Sequence, residues 1–203
     1  INKGVFFKEF TFSKTDFKAL DSNQELEFAD NVVWLDDLFF IFQIKEREKN
    51  SYDDEKWFKN KILKIAVRQI KSTLKYIQDY PEINIENEKG HKLDITIARE
   101  SKNTKKIIIY SPNENITEEL RKIKFYESSE VGLIHLFHSE DYYWICRYLI
   151  TPAEVEEYLN FRERLFEFNR EAGNLLPEQY FLGHFLETLE TDHFNAMYIS
   201  NLT

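Results

Sequence analysis

The chain has 203 residues, 42% of them hydrophobic and 16% aromatic, with 5 Gly and 4 Pro. This composition excludes a disordered or low-complexity segment and fits one globular unit with a continuous core. A net charge of −9, from 27 basic and 36 acidic side chains, argues against broad electrostatic adhesion to nucleic acid and limits any such contact to local basic patches.

No apolar run approaches the roughly 18 residues that cross a bilayer, and no signal-peptide pattern opens the sequence, so no membrane association is expected. The chain opens at Ile1 rather than at a methionine, as a fragment or a chain lacking its first residues does. The single cysteine, Cys146, excludes an internal disulfide and suits a reducing compartment, so a cytoplasmic location is expected. In chain order, Val5-Phe6-Phe7 and Phe10-Thr11-Phe12 read as β-like, and Ser13 to Phe17 as the start of a short helix.

Two apolar runs follow, Val32 to Leu35 and Leu38 to Ile44, separated by Asp36-Asp37, and they predict an antiparallel hairpin. A two-residue turn sets Leu35 opposite Leu38, Trp34 opposite Phe39 and Asp30 opposite Gln43. Opposed residues share a face, and the period of two puts Lys45 on that face with Gln43. Asp30, Gln43 and Lys45 therefore converge. The bland alternative is a solvated hairpin mouth, because polar residues are mostly exposed.

An Asp opening one strand and a Gln-x-Lys closing the next resembles the core of the PD-(D/E)XK nuclease superfamily. Gln43-Ile44-Lys45 resembles the Gln-x-Lys version found in Mrr-like restriction endonucleases. The resemblance covers roughly residues 25 to 78, and Ala29 stands where the motif has a proline. It implies a restriction-endonuclease-like fold and a catalytic group of Asp30, Gln43 and Lys45. Asp30 and Gln43 would be the ligands of Mg²⁺ or Mn²⁺, Glu27 a further acidic position and Gln69 a supporting helix position. Mg²⁺ takes oxygen ligands, and an ammonium beside it steadies developing negative charge. The superfamily commonly has a helix with a glutamate before the hairpin; no strong amphipathic helix is legible there, which leaves the role of Glu9 open.

After the charged run that follows Lys45, a helix is predicted from about Glu55 to Gln78, with Asp53, Asp54 and Glu55 at its positive end and Pro81 beyond its far end. Ile62, Ile65, Ala66, Ile70, Leu74 and Ile77 form one stripe, and Lys64, Arg68, Lys71 and Lys75 another on the opposite side. Gln69 falls in the apolar stripe and needs a partner, which Asp30 or Lys45 on the hairpin face would supply; a purely structural helix-to-sheet bond is the alternative. The basic stripe is a candidate nucleic-acid contact, although such charge runs are more commonly solvated faces.

From residue 83 the pattern turns β-like: Ile83 to Ile85, Leu93 to Ala98, Ile107 to Tyr110, Val131 to Phe137 and Tyr142 to Ile150, with a hairpin turn at Asn87 to Gly90. Thr151-Pro152-Ala153-Glu154 is a helix start with a hydroxyl cap and a glutamate three residues on. Val155, Tyr158, Leu159, Arg162, Leu165 and Phe166 continue it. Gly173 marks a break, Pro177 opens a last helix to about Glu190, and Phe194 to Ile199 is apolar.

His135 and His138 have a metal-like spacing, but residues three apart on a strand face opposite ways. No phosphate-binding glycine loop, Gly-x-Ser-x-Gly elbow or Cys/His nucleophile pair occurs. The expectation is an α/β chain, residues 1–203, as a single nuclease-like domain. Its core spans about 25–110, with a β-rich and helical extension over about 111–203 and the additional β-rich portion between about 82 and 150. The expected function is metal-dependent hydrolysis of DNA in restriction, phage defence or repair. The alternative is a catalytically silent subunit of a larger assembly; a homo-oligomer or a partner subunit stays open.

Overall fold

The computed structural model describes residues 1–47, 53–112, 116–168, 170 and 176–188. Its centre is an eight-stranded mixed sheet. The strands are β1 (Thr11–Lys14), β4 (Asn31–Leu35), β5 (Leu38–Glu46), β6 (Asn84–Asn87), β7 (Lys92–Asp94), β8 (Thr104–Ser111), β9 (Phe125–Ser128) and β10 (Gly132–His138), in the order β7-β6-β1-β4-β5-β8-β10-β9. A separate two-stranded ribbon pairs β2 (Asp16–Lys18) with β3 (Glu25–Glu27). β5 runs antiparallel to β4 and parallel to β8, and β8 runs parallel to β10. The connection from β5 to β8 passes through a helix, as parallel neighbours usually require.

That helix begins as α3 (Asp54–Trp57), passes through a π-helical segment (Phe58–Ala66) and ends as α4 (Val67–Asp79). The Asp53 carboxylate caps it by accepting from the Lys56 amide at 2.9 Å. Phe58, Ile62, Ala66 and Ile70 pack with Ile108, Tyr110, Ile134 and Leu136 on one face of the sheet. Phe39 and Ile41 of β5 continue that face in a cluster with Phe28, Val32 and Ile77. Phe40 and Phe42, of opposite parity, belong to the cluster on the other face, with Phe6, Ile107, Ile109 and Phe137. β5 is thus buried on both faces as far as Gln43, which is why it reads as an unbroken apolar run.

The second face is covered by α1 (Asn2–Val5), α6 (Ser139–Tyr148), α7 (Pro152–Phe168) and α8 (Glu178–Thr188). α7 starts with the predicted reciprocal box: the Glu154 amide donates to the Thr151 hydroxyl at 3.2 Å, and the Thr151 amide to the Glu154 carboxylate at 2.8 Å. Arg162, placed by periodicity in the buried stripe, is fully buried. It lies over the Phe137 ring, 3.9 Å from its centroid, and bonds to Glu178.

Several expectations are corrected. Val5-Phe6-Phe7 lies not in a strand but in two helical turns, α1 and α2 (Phe7–Phe10), which seat Phe6 against Phe40 and Phe42. Ser13 to Phe17 falls in β1 and β2, on either side of Thr15, rather than in a helix. Leu93 to Ala98 leaves the strand at Asp94, whose carboxylate accepts from the Thr96 and Ile83 amides and caps a 3₁₀ segment, Ile95–Glu100. Tyr142 to Ile150 is not a strand: its core is α6, burying Tyr142, Ile145 and Cys146. The β-rich portion is therefore no separate layer, because β9 and β10 extend the same sheet beside β8. Gly173, the segment Phe194 to Ile199 and the end of the last helix near Glu190 lie outside the described residues. Among the described residues no helix is long and apolar enough to cross a membrane.

One buried polar group on this second face was not foreseen. His135, wholly buried, shares its Nδ1 with the Arg162 guanidinium at 2.8 Å and its Nε2 with Glu163 at 2.9 Å, while Lys105 reaches Glu163 at 2.8 Å. Burial disfavours the imidazolium and pushes His135 down to about 4. Burial would raise Glu163, but its bonds from His135 and Lys105 prevail and pull it down to about 2. Both folded pKa values lie below the unfolded ones, so the unfolded chain takes up protons first and stability is lost as pH falls. The histidine share is present above about pH 6.5 and disappears towards pH 4. Urea unfolding at pH 7 and pH 5 should register a loss of about 2 kcal/mol from this residue. His135→Gln, which cannot take up that proton, should reduce the pH 7 to pH 5 difference by a similar amount.

Candidate functional site

The hairpin of β4 and β5 builds the site. The register runs Leu35 opposite Leu38, Trp34 opposite Phe39 and Asn31 opposite Phe42, as a two-residue turn demands. Asp36 takes the turn's left-handed conformation, φ 54°, which aspartate tolerates better than β-branched or bulky residues. One step beyond Asn31, Asp30 meets the end of β5: its Oδ2 accepts from the Ile44 amide at 2.5 Å and from Lys45 Nζ at 3.0 Å. Lys45 Nζ also donates to Gln43 Oε1 at 3.2 Å and to the Ile44 carbonyl at 3.0 Å. Three oxygens from three residues thus surround one ammonium.

The group is graded in exposure. Gln43 is 1% exposed, whereas the side chains of Lys45 and Asp30 retain 14% and 23%. The amide forms the floor and the charged pair faces the opening. Glu27, at the end of β3 and paired with Asp16 across the ribbon, completes an acidic margin. Desolvation, then the negative fields of Asp30 and Asp16, push its carboxyl above the usual range, and Lys45 opposes them. Glu9, left open by the sequence, lies in α2 and pairs with Lys89.

Gln43 and Lys45 have the parity of Phe39 and Ile41, so they lie on the face covered by the long helix. The helix is tied to the hairpin entry by Thr73, whose hydroxyl bonds to the Phe28 carbonyl. Gln69, one turn earlier, is half-buried, and its amide makes no bond to Asp30 or Lys45. Its Oε1 is buried without a hydrogen-bond partner among the described residues. The ammonium that was to satisfy it is committed to the three oxygens. Lys64, Arg68, Lys71 and Lys75 are all exposed; Lys71 pairs with Glu130, and Lys75 with Asp79 at 3.8 Å.

Other candidates lack comparable chemistry. A cavity of about 650 Å³ between α6 and α8 is lined by Arg121, Trp144, Tyr148 and Glu178, and by none of Asp30, Gln43 and Lys45. Its charges are already engaged, Arg121 with Asp141 at 2.6 Å and Glu178 with Arg162 at 3.0 Å. Cys146 is buried and its thiol pushed up to about 12 by that burial, which makes it a poor nucleophile. Among the described residues no group of three or more His, Cys, Asp or Glu side chains is placed to hold a metal ion. Comparison with family models, characterised proteins and solved structures gives no match, so the functional reading rests on the site's own geometry.

An unpartnered buried carbonyl costs about 1–3 kcal/mol. Gln69→Met, which keeps the length and removes the amide, should therefore raise stability by about 1 kcal/mol in urea unfolding. An equal loss would show that the amide has a stabilising partner.

Proposed function

We propose that this chain is a divalent-metal-dependent nuclease that hydrolyses phosphodiester bonds of DNA, built on a restriction-endonuclease-like fold with an Mrr-like Gln-x-Lys site. The observation that carries the reading is the convergence of Asp30 Oδ2, Gln43 Oε1 and the Ile44 carbonyl on Lys45 Nζ, at 3.0–3.2 Å. A carboxylate with neutral carbonyl oxygens is a donor set that suits Mg²⁺ or Mn²⁺. The ammonium is a stand-in cation for that set.

Asp30, Gln43 and the Ile44 carbonyl would hold the ion, with Glu27 adding negative charge at the margin. When bound, the ion supplies neutralisation of the phosphate and an acidified water. Asp30 contributes the negative charge of the set, and its bond from the Ile44 amide keeps the carboxylate pinned when the ammonium leaves. Lys45, released from the three oxygens, turns its charge to the phosphate and stabilises the negative charge that grows there in the transition state. Gln69 is the proposed support for Lys45, since its buried Oε1 is an acceptor awaiting a donor.

A second reading, a catalytically silent interaction subunit, is favoured by two observations: Lys45 satisfies the oxygens internally, and Gln43 lacks the charge a glutamate would bring. The two readings separate in one experiment. With Mg²⁺ or Mn²⁺ the protein should cleave DNA, and Lys45→Met should slow cleavage about 10²–10³-fold. Calorimetry should find Mn²⁺ bound more tightly by Lys45→Met, which removes the competing cation, and weakly or not at all by Asp30→Ala. Wild-type protein that neither binds Mn²⁺ nor nicks DNA would favour the silent subunit.

A further inference from the structure

The long helix concentrates positive charge in a way the rest of the chain does not. Between residues 56 and 78 stand seven basic side chains, Lys56, Lys59, Lys61, Lys64, Arg68, Lys71 and Lys75, and no acidic one. The remaining residues hold 20 basic and 36 acidic side chains. A helix face evolved only for solvation tends to interleave the two signs, with Glu and Lys pairs four apart. Such pairs occur here only at the two ends, Lys59 with Glu55 and Lys75 with Asp79. Lys71 is met from outside the helix by Glu130. Between them Lys61, Lys64 and Arg68 are exposed and have no carboxylate within ion-pair distance among the described residues.

These three lie on or just after the π-helical segment, whose wider turn is an irregularity frequent at functional sites. The segment buries Phe58, Ile62 and Ala66 against the sheet, so its exposed side rides on a rigid base. The Thr73 bond to Phe28, two residues before Asp30, couples the same helix to the hairpin that carries the site.

We infer that Lys61, Lys64 and Arg68 form a ridge that contacts the phosphate backbone of DNA away from the scissile bond, while Lys71 and Lys75 take no part. The inference rests on the nucleic-acid substrate proposed above and assigns the surface that holds it. Mutual repulsion among three unpaired cations is relieved when they neutralise the phosphates of a polyanion, whose condensed counterions are released to the solvent. An acidic chain with one basic ridge would engage its substrate there and repel it elsewhere, which orients it.

The test is fluorescence-anisotropy titration of a short labelled DNA duplex at several salt concentrations, in EDTA so that no cleavage occurs. Wild-type protein should bind with a log-log salt slope that the triple variant Lys61→Gln/Lys64→Gln/Arg68→Gln reduces by about 2–3, near 0.9 for each phosphate that is no longer neutralised. The control Lys59→Gln/Lys75→Gln should keep the slope nearly unchanged. All substituted side chains are exposed, and circular dichroism verifies that each variant is folded. No binding by wild-type protein, an unchanged slope in the triple variant, or an equal loss in the control would each overturn the ridge. The two proposals fail separately: DNA binding that depends on the ridge without any cleavage in Mg²⁺ or Mn²⁺ removes the nuclease, whereas cleavage with an unchanged slope in the triple variant removes the ridge.

Discussion

The pairing register of β5 is the constraint on which the rest depends. Its nine residues pair with an antiparallel neighbour over Leu38 to Phe42 and with a parallel one over Phe39 to Glu46, and each is committed to a face by that pairing. A slip of one residue would turn Phe40 and Phe42 out of one core and carry Gln43 and Lys45 to the wrong side. The apolar cores on the two faces therefore hold the polar group in place: the aromatic residues that bury the strand also determine where the ammonium points. Asp30 follows from the same register, because it lies one step beyond the last ladder pair and can reach both the Ile44 amide and Lys45.

The polar group also illustrates a choice between two forms of satisfaction. An ammonium with little exposure costs free energy unless its donors are met, and three oxygens meet them here. The same oxygens are then occupied, so a competing divalent cation must offset the loss of the lysine's bonds. Gln69 shows the complementary cost. Its amide sits in an otherwise apolar stripe and its oxygen has no donor among the described residues, an arrangement natural proteins rarely keep without a use for it.

The hairpin was legible because two apolar, β-branched and aromatic runs, a two-acid turn and the period of two depend only on local sequence. The long helix was legible for the same reason, and Thr151 to Glu154 announced α7 with its own side chains. What the sequence hid depends on competition between patterns. Tyr142 to Ile150 is rich in aromatic and branched residues and looks like a strand, yet Tyr142, Ile145, Cys146 and Leu149 are buried at spacings of three, four and seven, a helical period present in the sequence. At the N-terminus the runs are too short for a period to speak. The bonds of His135 to Arg162 and Glu163 cross 27 and 28 residues, and no local rule links them. For the site, the convergence of Asp30, Gln43 and Lys45 could be read from register, whereas the Ile44 carbonyl as a third oxygen and the lone oxygen of Gln69 required coordinates.

The parallel pairing of β5 with β8 has a consequence for the order in which the molecule assembles. The contacts among Asp30, Gln43 and Lys45 span at most 15 residues, but Phe39 must find Thr104 across 65. Loop closure grows slowly with length, about 0.6 kcal/mol for each doubling, so the second closure costs about 1 kcal/mol more than the first in chain entropy alone. It also waits on the intervening helix, and long-range parallel pairings form slowly. The polar cluster belongs to the part of the chain that can form early, and the sheet that shelters it closes later. During that interval the apolar face of β5 is uncovered, and its exposed edge is the place where a nascent or unfolded chain is most open to pairing with another copy.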